Sequence, residues 1–129
     1  MKEEVRKELE KVYKTIDIQD LLNQFQKKVN LIKNTSKSNF VFEYQTLLEE
    51  FDKKLQDKVD WFWISHNQKL SEDFIKEFQD KVDWDCISRY QKLSEDFIKE
   101  FQDKINWFWI SEHQKLSEDF KKEFKDRVE

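Results

Sequence analysis

Apolar residues recur at every fourth position through Leu70, Phe74, Phe78 and Val82, and the same paired phenylalanines return as Phe97/Phe101 and Phe120/Phe124. Steps of four keep side chains on one stripe of a helix, so this pattern predicts short amphipathic helices with an aromatic inner face. Glu72/Lys76 and Glu77/Lys81 fall on the opposite face as i,i+4 pairs, worth a few tenths of a kcal/mol each. The first part of the chain carries a different rhythm. Val5, Leu9, Val12 and Ile16 follow a 4-3-4 spacing and predict one helix with a narrow stripe. Asp17 is placed to cap a second helix carrying Ile18, Leu21, Leu22, Phe25, Val29 and Ile32, with Ile16 and Leu21 as its staple.

Aligning Trp61, Trp84 and Trp107 shows a repeat of 23 residues. "DKVDWFWI" at 57–64 is rewritten as "DKVDWDCI" at 80–87 and "DKINWFWI" at 103–110. A degraded copy at 38–60 has Val41 for Ile64, Gln45 for Gln68, Leu47 for Leu70 and Phe51 for Phe74. Within a unit, Asp60 is an N-cap for helix A (61–69), and Ser71 followed by Glu72 and Asp73 starts helix B (71–82). Val59/Ile64 and Leu70/Ile75 have the spacing of hydrophobic staples, repeated as Val82/Ile87, Leu93/Ile98 and Ile105/Ile110. Helices this short are marginal alone, so neighbouring units must stack. "DKVDW" is then the joint between one unit and the next. Leu48 replaces the capping serine in the degraded copy and predicts one longer helix over 39–57. Lys121 and Lys125 replace Ile98 and Gln102, as suits a last unit facing water. The polar cluster "NTSKS" at 34–38 marks a turn. The expected organisation is an all-α helical-repeat array. A helical pair (1–37) precedes four units at 38–60, 61–83, 84–106 and 107–129, in one continuous domain.

Composition agrees. The 129 residues contain no Gly and no Pro, where ordinary usage gives roughly fifteen. Sheets with tight hairpins are therefore excluded. Charged residues make up 40% and aromatics 16%, which suits solvated outer faces over a Phe/Trp seam. A net charge of −4 argues against a general nucleic-acid binder. A single cysteine, Cys86, permits no internal disulfide. The charged start carries no signal-peptide core, and the apolar runs Trp61–Ile64 and Trp107–Ile110 are too short for a membrane. A soluble, cytoplasmic protein is expected.

The copies differ where a site would be written. In the first two complete units helix A changes at Phe62/Asp85, Trp63/Cys86, His66/Arg89 and Asn67/Tyr90, and the third carries Phe108, Trp109, Glu112 and His113 there. Positions 63, 66 and 67 share one helical face. A constant scaffold with one variable face is how repeat proteins present a recognition surface. The candidate binding residues are Trp63, His66, Asn67, Cys86, Arg89, Tyr90, Trp109, Glu112 and His113. The plainer reading is drift at exposed positions. Exposed tryptophans fit drift poorly, since Trp, Tyr and Arg anchor interfaces. Catalysis finds no constellation. His66 and His113 occupy non-equivalent positions with no partner at metal-ligand spacing. Cys86 reads as a space-filler where its counterparts are tryptophans, and the Glu-Asp pairs serve helix starts. No metal, cofactor or catalytic residue is expected.

Written out as W-x-x-I-S-x-x-Q-K-L-S-E-D-F-I-K-E-F-Q-D-K-V-D, the unit resembles a short tandem repeat of giant DNA viruses and bacteriophages whose members mostly lack an assigned activity. The likeness covers 61–129 closely, 38–60 loosely and 1–37 hardly. It implies a viral or phage origin rather than a reaction. The function expected is a non-enzymatic protein–protein interaction module with a protein partner, no direct nucleic-acid contact and no membrane. The alternative is a small inhibitor of a host defence enzyme, anti-CRISPR-like, acting by binding or by nucleic-acid mimicry through its acidic helix faces.

Overall fold

The computed structural model describes residues 1–35 and 39–128. Nine helices and no strand occur among them: α1 (Glu3–Tyr13), α2 (Gln19–Thr35), α3 (Phe40–Lys58), α4 (Trp61–Asn67), α5 (Glu72–Glu77), α6 (Trp84–Tyr90), α7 (Glu95–Glu100), α8 (Trp107–His113) and α9 (Glu118–Glu123). The protein is an all-α helical-repeat array. No described residue takes a positive φ, as a chain without glycine requires. By packing, the chain divides into two compact units, residues 9–59 and residues 1–8 with 60–129.

In the first of these, α2 packs along α3. Phe25 meets Phe51 and Tyr44 at 4.9 and 6.1 Å between ring centroids, with Leu21 and Leu55 buried. Asp17 Oδ1 accepts from the Gln19 amide at the start of α2, as the sequence predicts. α3 runs unbroken because nothing at Leu48 competes for the backbone. Positions 36–38 of the polar cluster, with the boundary expected at 37/38, lie outside the described residues.

The array repeats its chemistry almost identically. Asp60 and Asp83 accept from the amides of Trp63 and Cys86, and Asn106 from those of Phe108 and Trp109. Ser71, Ser94 and Ser117 accept from Phe74, Phe97 and Phe120. Inside each unit one tryptophan lies on two phenylalanines. Trp61, Trp84 and Trp107 each sit 5.3 Å from Phe78, Phe101 and Phe124 respectively. Phe74, Phe97 and Phe120 are all but fully buried. Burying such side chains stabilises by about 2–3 kcal/mol each.

Both helices are shorter than the sequence predicts. Helix A ends at Asn67 instead of 69, and helix B at Glu77 instead of 82. The groups that would extend them are engaged elsewhere in the array. For helix B, the Gln79 carbonyl accepts from Trp84 Nε1 (2.9 Å), and the Asp83 amide donates to Ser65 Oγ (3.1 Å). Those are the two halves of the hydrogen bond that another helical turn would need. For helix A, buried Gln91 intervenes. Its Nε2 donates to the carbonyls of Ser65 (3.0 Å) and Gln68 (2.6 Å), and its Oε1 accepts from the Leu70 amide (2.9 Å). Gln114 repeats this on Ser88, Gln91 and Leu93. One glutamine amide thus closes the corner of the preceding unit.

A carboxylate makes the reciprocal contact. Glu72 accepts from both the amide (2.7 Å) and hydroxyl (2.9 Å) of Ser94, and Glu95 does the same for Ser117. The two Ser117 donors hold the Glu95 carboxyl below the usual carboxylate range. At the head of the array no earlier repeat is present in this unit, and α1 takes its place. Glu8 Oε2 accepts from the Ser71 amide (3.1 Å), Lys2 pairs with Asp73 (3.2 Å), and Val5 is buried. The Glu72/Lys76 pair expected within helix B is superseded by pairs between units. Lys76 reaches Glu100 (3.1 Å), Lys99 reaches Glu123 (3.4 Å) and Lys104 reaches Asp80 (3.3 Å). These pairs are exposed, and each contributes at most about 1 kcal/mol.

Replacing Gln91 by Ala strands two carbonyls and an amide in a buried corner. We expect a loss of about 3 kcal/mol in urea unfolding, whereas Lys76→Ala should cost under about 1 kcal/mol. Equal small losses would contradict the role given to the glutamine.

Candidate binding groove on the A-helix face

Helices α4, α6 and α8 lie side by side, so their variable positions come to one surface. The staples fix their rotation. Ile64, Ile87 and Ile110 are fully buried, as are Ser65 and Ser88, which turns positions 62, 63, 66 and 67 and their equivalents to the opposite face, where Cys86 is the buried one among them. Large residues fill that surface in the outer units, where Phe62 and Phe108 are about 60% exposed and Trp63 is 45% exposed. The middle unit has Asp85 and Cys86 instead. The small side chain leaves a groove of about 300 Å³ lined by Phe62, His66, Asp83, Asp85, Cys86, Arg89, Tyr90 and Trp109.

The walls are aromatic. The His66 and Tyr90 rings meet at 4.0 Å between centroids, and Phe62 stands 6.2 Å from His66. The Arg89 guanidinium lies over the Trp109 ring at 4.3 Å and 4.9 Å from the Tyr90 ring, so it bridges α6 to α8. Trp109 is supported on its far sides by Phe108 (4.8 Å, edge-on) and His113 (5.4 Å). Two carboxylates complete the lining. Asp83 Oδ1 accepts from the Cys86 amide (3.0 Å), and Asp85 Oδ1 accepts from Asn106 Nδ2 (3.0 Å). Tyr13 Oη and His66 Nδ1 are the buried side-chain polar atoms without a hydrogen-bond partner among the described residues.

Of the candidates, His66, Cys86, Arg89, Tyr90 and Trp109 come together in this groove. Trp63, Asn67, Glu112 and His113 do not line it. Asn67 is turned back, its Nδ2 donating to the Trp63 carbonyl (3.1 Å). Phe62, Asp83 and Asp85 belong to the site and were missed by sequence reasoning. Phe62 and Asp85 vary between copies, but the i, i+3, i+4 selection left their column out. Asp83 reads as a cap, and its second role has no signature along the chain. Cys86 is a buried floor residue. Burial first, then the negative charge of Asp83, pushes its thiol from 9.0 up to about 11, so it stays protonated at neutral pH.

No protein family matches the chain, and no curated protein or solved structure matches it. Among the described residues no cluster of three or more His, Cys, Asp or Glu side chains forms a metal site, and no helix is long and apolar enough to cross a membrane.

The raised thiol predicts a pH dependence. The unfolded chain loses its Cys86 proton near pH 9 while the folded chain keeps it to about pH 11. Stability from this group is therefore intact below pH 9 and falls between 9 and 11, by about 2–3 kcal/mol in total. Chemical denaturation of the wild type and Cys86→Ala across pH 8–11 should show curves that converge as pH rises. A constant offset would contradict the assignment.

Proposed function

We propose that this chain is a cytoplasmic, non-enzymatic protein-interaction module that engages its partner through the groove on helix α6. One observation supports this reading most. All four helix-A positions at which the middle unit departs from the first (Asp85, Cys86, Arg89 and Tyr90) line the same groove. Drift at exposed positions carries no requirement that substitutions converge, nor that one of them be buried. The groove also has an interface's composition, with Trp, Tyr and Arg over a small apolar floor. Acidic mimicry of nucleic acid has less support. Glu100, Glu123 and Asp80 are paired with lysines of neighbouring units, and Glu72 and Glu95 are engaged by serines, so the B-helix faces are mixed in charge.

The repeat provides its own control. Asp85→Phe, Cys86→Trp, Arg89→His and Tyr90→Asn together rewrite α6 as α4, using side chains that the fold already accommodates one unit earlier. Proteins captured from lysate by the wild type and by this variant should differ in at least one partner, whose affinity for the variant, measured calorimetrically, drops by about a hundredfold, the loss of two anchor residues. Identical capture by a variant with wild-type circular dichroism and melting would overturn the reading.

A further inference from the structure

The ligand chemistry of the groove follows from what its groups already do. Its charged members are Asp83, Asp85 and Arg89. Arg89 has its guanidinium seated over Trp109 and beside Tyr90. The two carboxylates are not matched. Both meet only neutral donors: Asp83 takes the amide and the thiol of Cys86, and Asp85 takes Asn106 Nδ2. The ion pairs Lys2–Asp73, Lys76–Glu100, Lys99–Glu123 and Lys104–Asp80 use other carboxylates. A carboxylate offers about four acceptor positions, so both of these groove-lining carboxylates keep acceptor capacity to spare. We infer that the groove receives a basic side chain, a lysine or arginine, of the partner polypeptide. This deepens the interaction reading above and rests on it.

Shape and charge agree on this occupant. About 300 Å³ admits one long side chain and not a second helix. Phe62, His66 and Tyr90 offer ring surface for a methylene stem or a guanidinium plane, and the carboxylates offer charge-assisted hydrogen bonds at its head. The resident Arg89 shows that these walls accept a stacked cation. An anionic ligand meets two carboxylates against one guanidinium. The chain's net charge of −4 also favours encounter with a basic partner.

The test uses the full chain and acetyl-capped octapeptide pools, randomised at flanking positions, with Lys, Arg, Glu, Phe or Ala fixed at the centre. Affinity is read by fluorescence anisotropy. We expect the Lys and Arg pools to bind at least about tenfold more tightly than the Ala pool, with the advantage shrinking as salt rises. Asp85→Asn keeps an acceptor for Asn106 but removes the charge, and should cut that advantage by about tenfold. The variant with α6 rewritten as α4 should lose it. Preference for Phe or Glu that disappears in the rewritten variant would overturn the basic ligand while leaving the groove as an interface. So would a Lys/Arg preference unchanged in Asp85→Asn. Equal behaviour of all pools, or of wild type and rewritten variant, would overturn both readings.

Discussion

In the first two complete units the corner between the A and B helices leaves two carbonyls and one amide that neither helix can satisfy, and a glutamine side chain from the next unit satisfies all three. Gln91 does so for Ser65, Gln68 and Leu70, and Gln114 for Ser88, Gln91 and Leu93. The rest of the array depends on this contact. It sets where helix A stops and how far the next unit is displaced, and through those the overlap of the A helices. An amide suits the task because it carries two donors and an acceptor in a fixed plane. A buried corner without it would hold three unpaired polar groups, at a cost comparable to a sizeable part of a small domain's stability.

That contact also explains why the unit is written so repetitively. Gln91, Ser94, Glu95 and Trp84 each serve a neighbour as well as their own helix. A change at any of them disturbs two units at once, whereas the side chains at helix-A positions 62, 63, 66 and 67 and their equivalents touch neighbours through ring contacts without satisfying a neighbour's backbone. Variation is therefore concentrated on one surface. In the middle unit it takes the form of a small floor residue, a carboxylate and an Arg–Tyr pair, Cys86, Asp85, Arg89 and Tyr90. The groove is a departure from the repeat held in place by the repeat.

The N-terminal segment follows the same logic with different residues. Glu8 of α1 meets Ser71 as Glu72 meets Ser94, although α1 shares no wording with the repeat. The hydrogen-bonding requirement of the first capping serine is met by whichever carboxylate packing brings there. A helix with a 4-3-4 apolar stripe gives no hint of that along the chain.

The helices, their caps and their staples could be read directly, because capping and periodicity are local. Asp60, Asp83, Ser71, Ser94 and Ser117 act within three residues of where they stand. The stripe of Leu70, Phe74, Phe78 and Val82 marked the core for the same reason. Five of the eight groove residues were legible too, since comparing copies pointed to His66, Cys86, Arg89, Tyr90 and Trp109. Phe62, Asp83 and Asp85 were not, nor were the shortened helices. Those depend on bonds between residues about 18 to 26 apart, such as Asp83 to Ser65 and Gln91 to Ser65, and the displacement of one unit on the next decides which groups meet. Sequence alone determined what each unit is, because its signals act over one or two helical turns. Only the tertiary structure decided where the units end and which side chains share the groove, because stacking determines those distances.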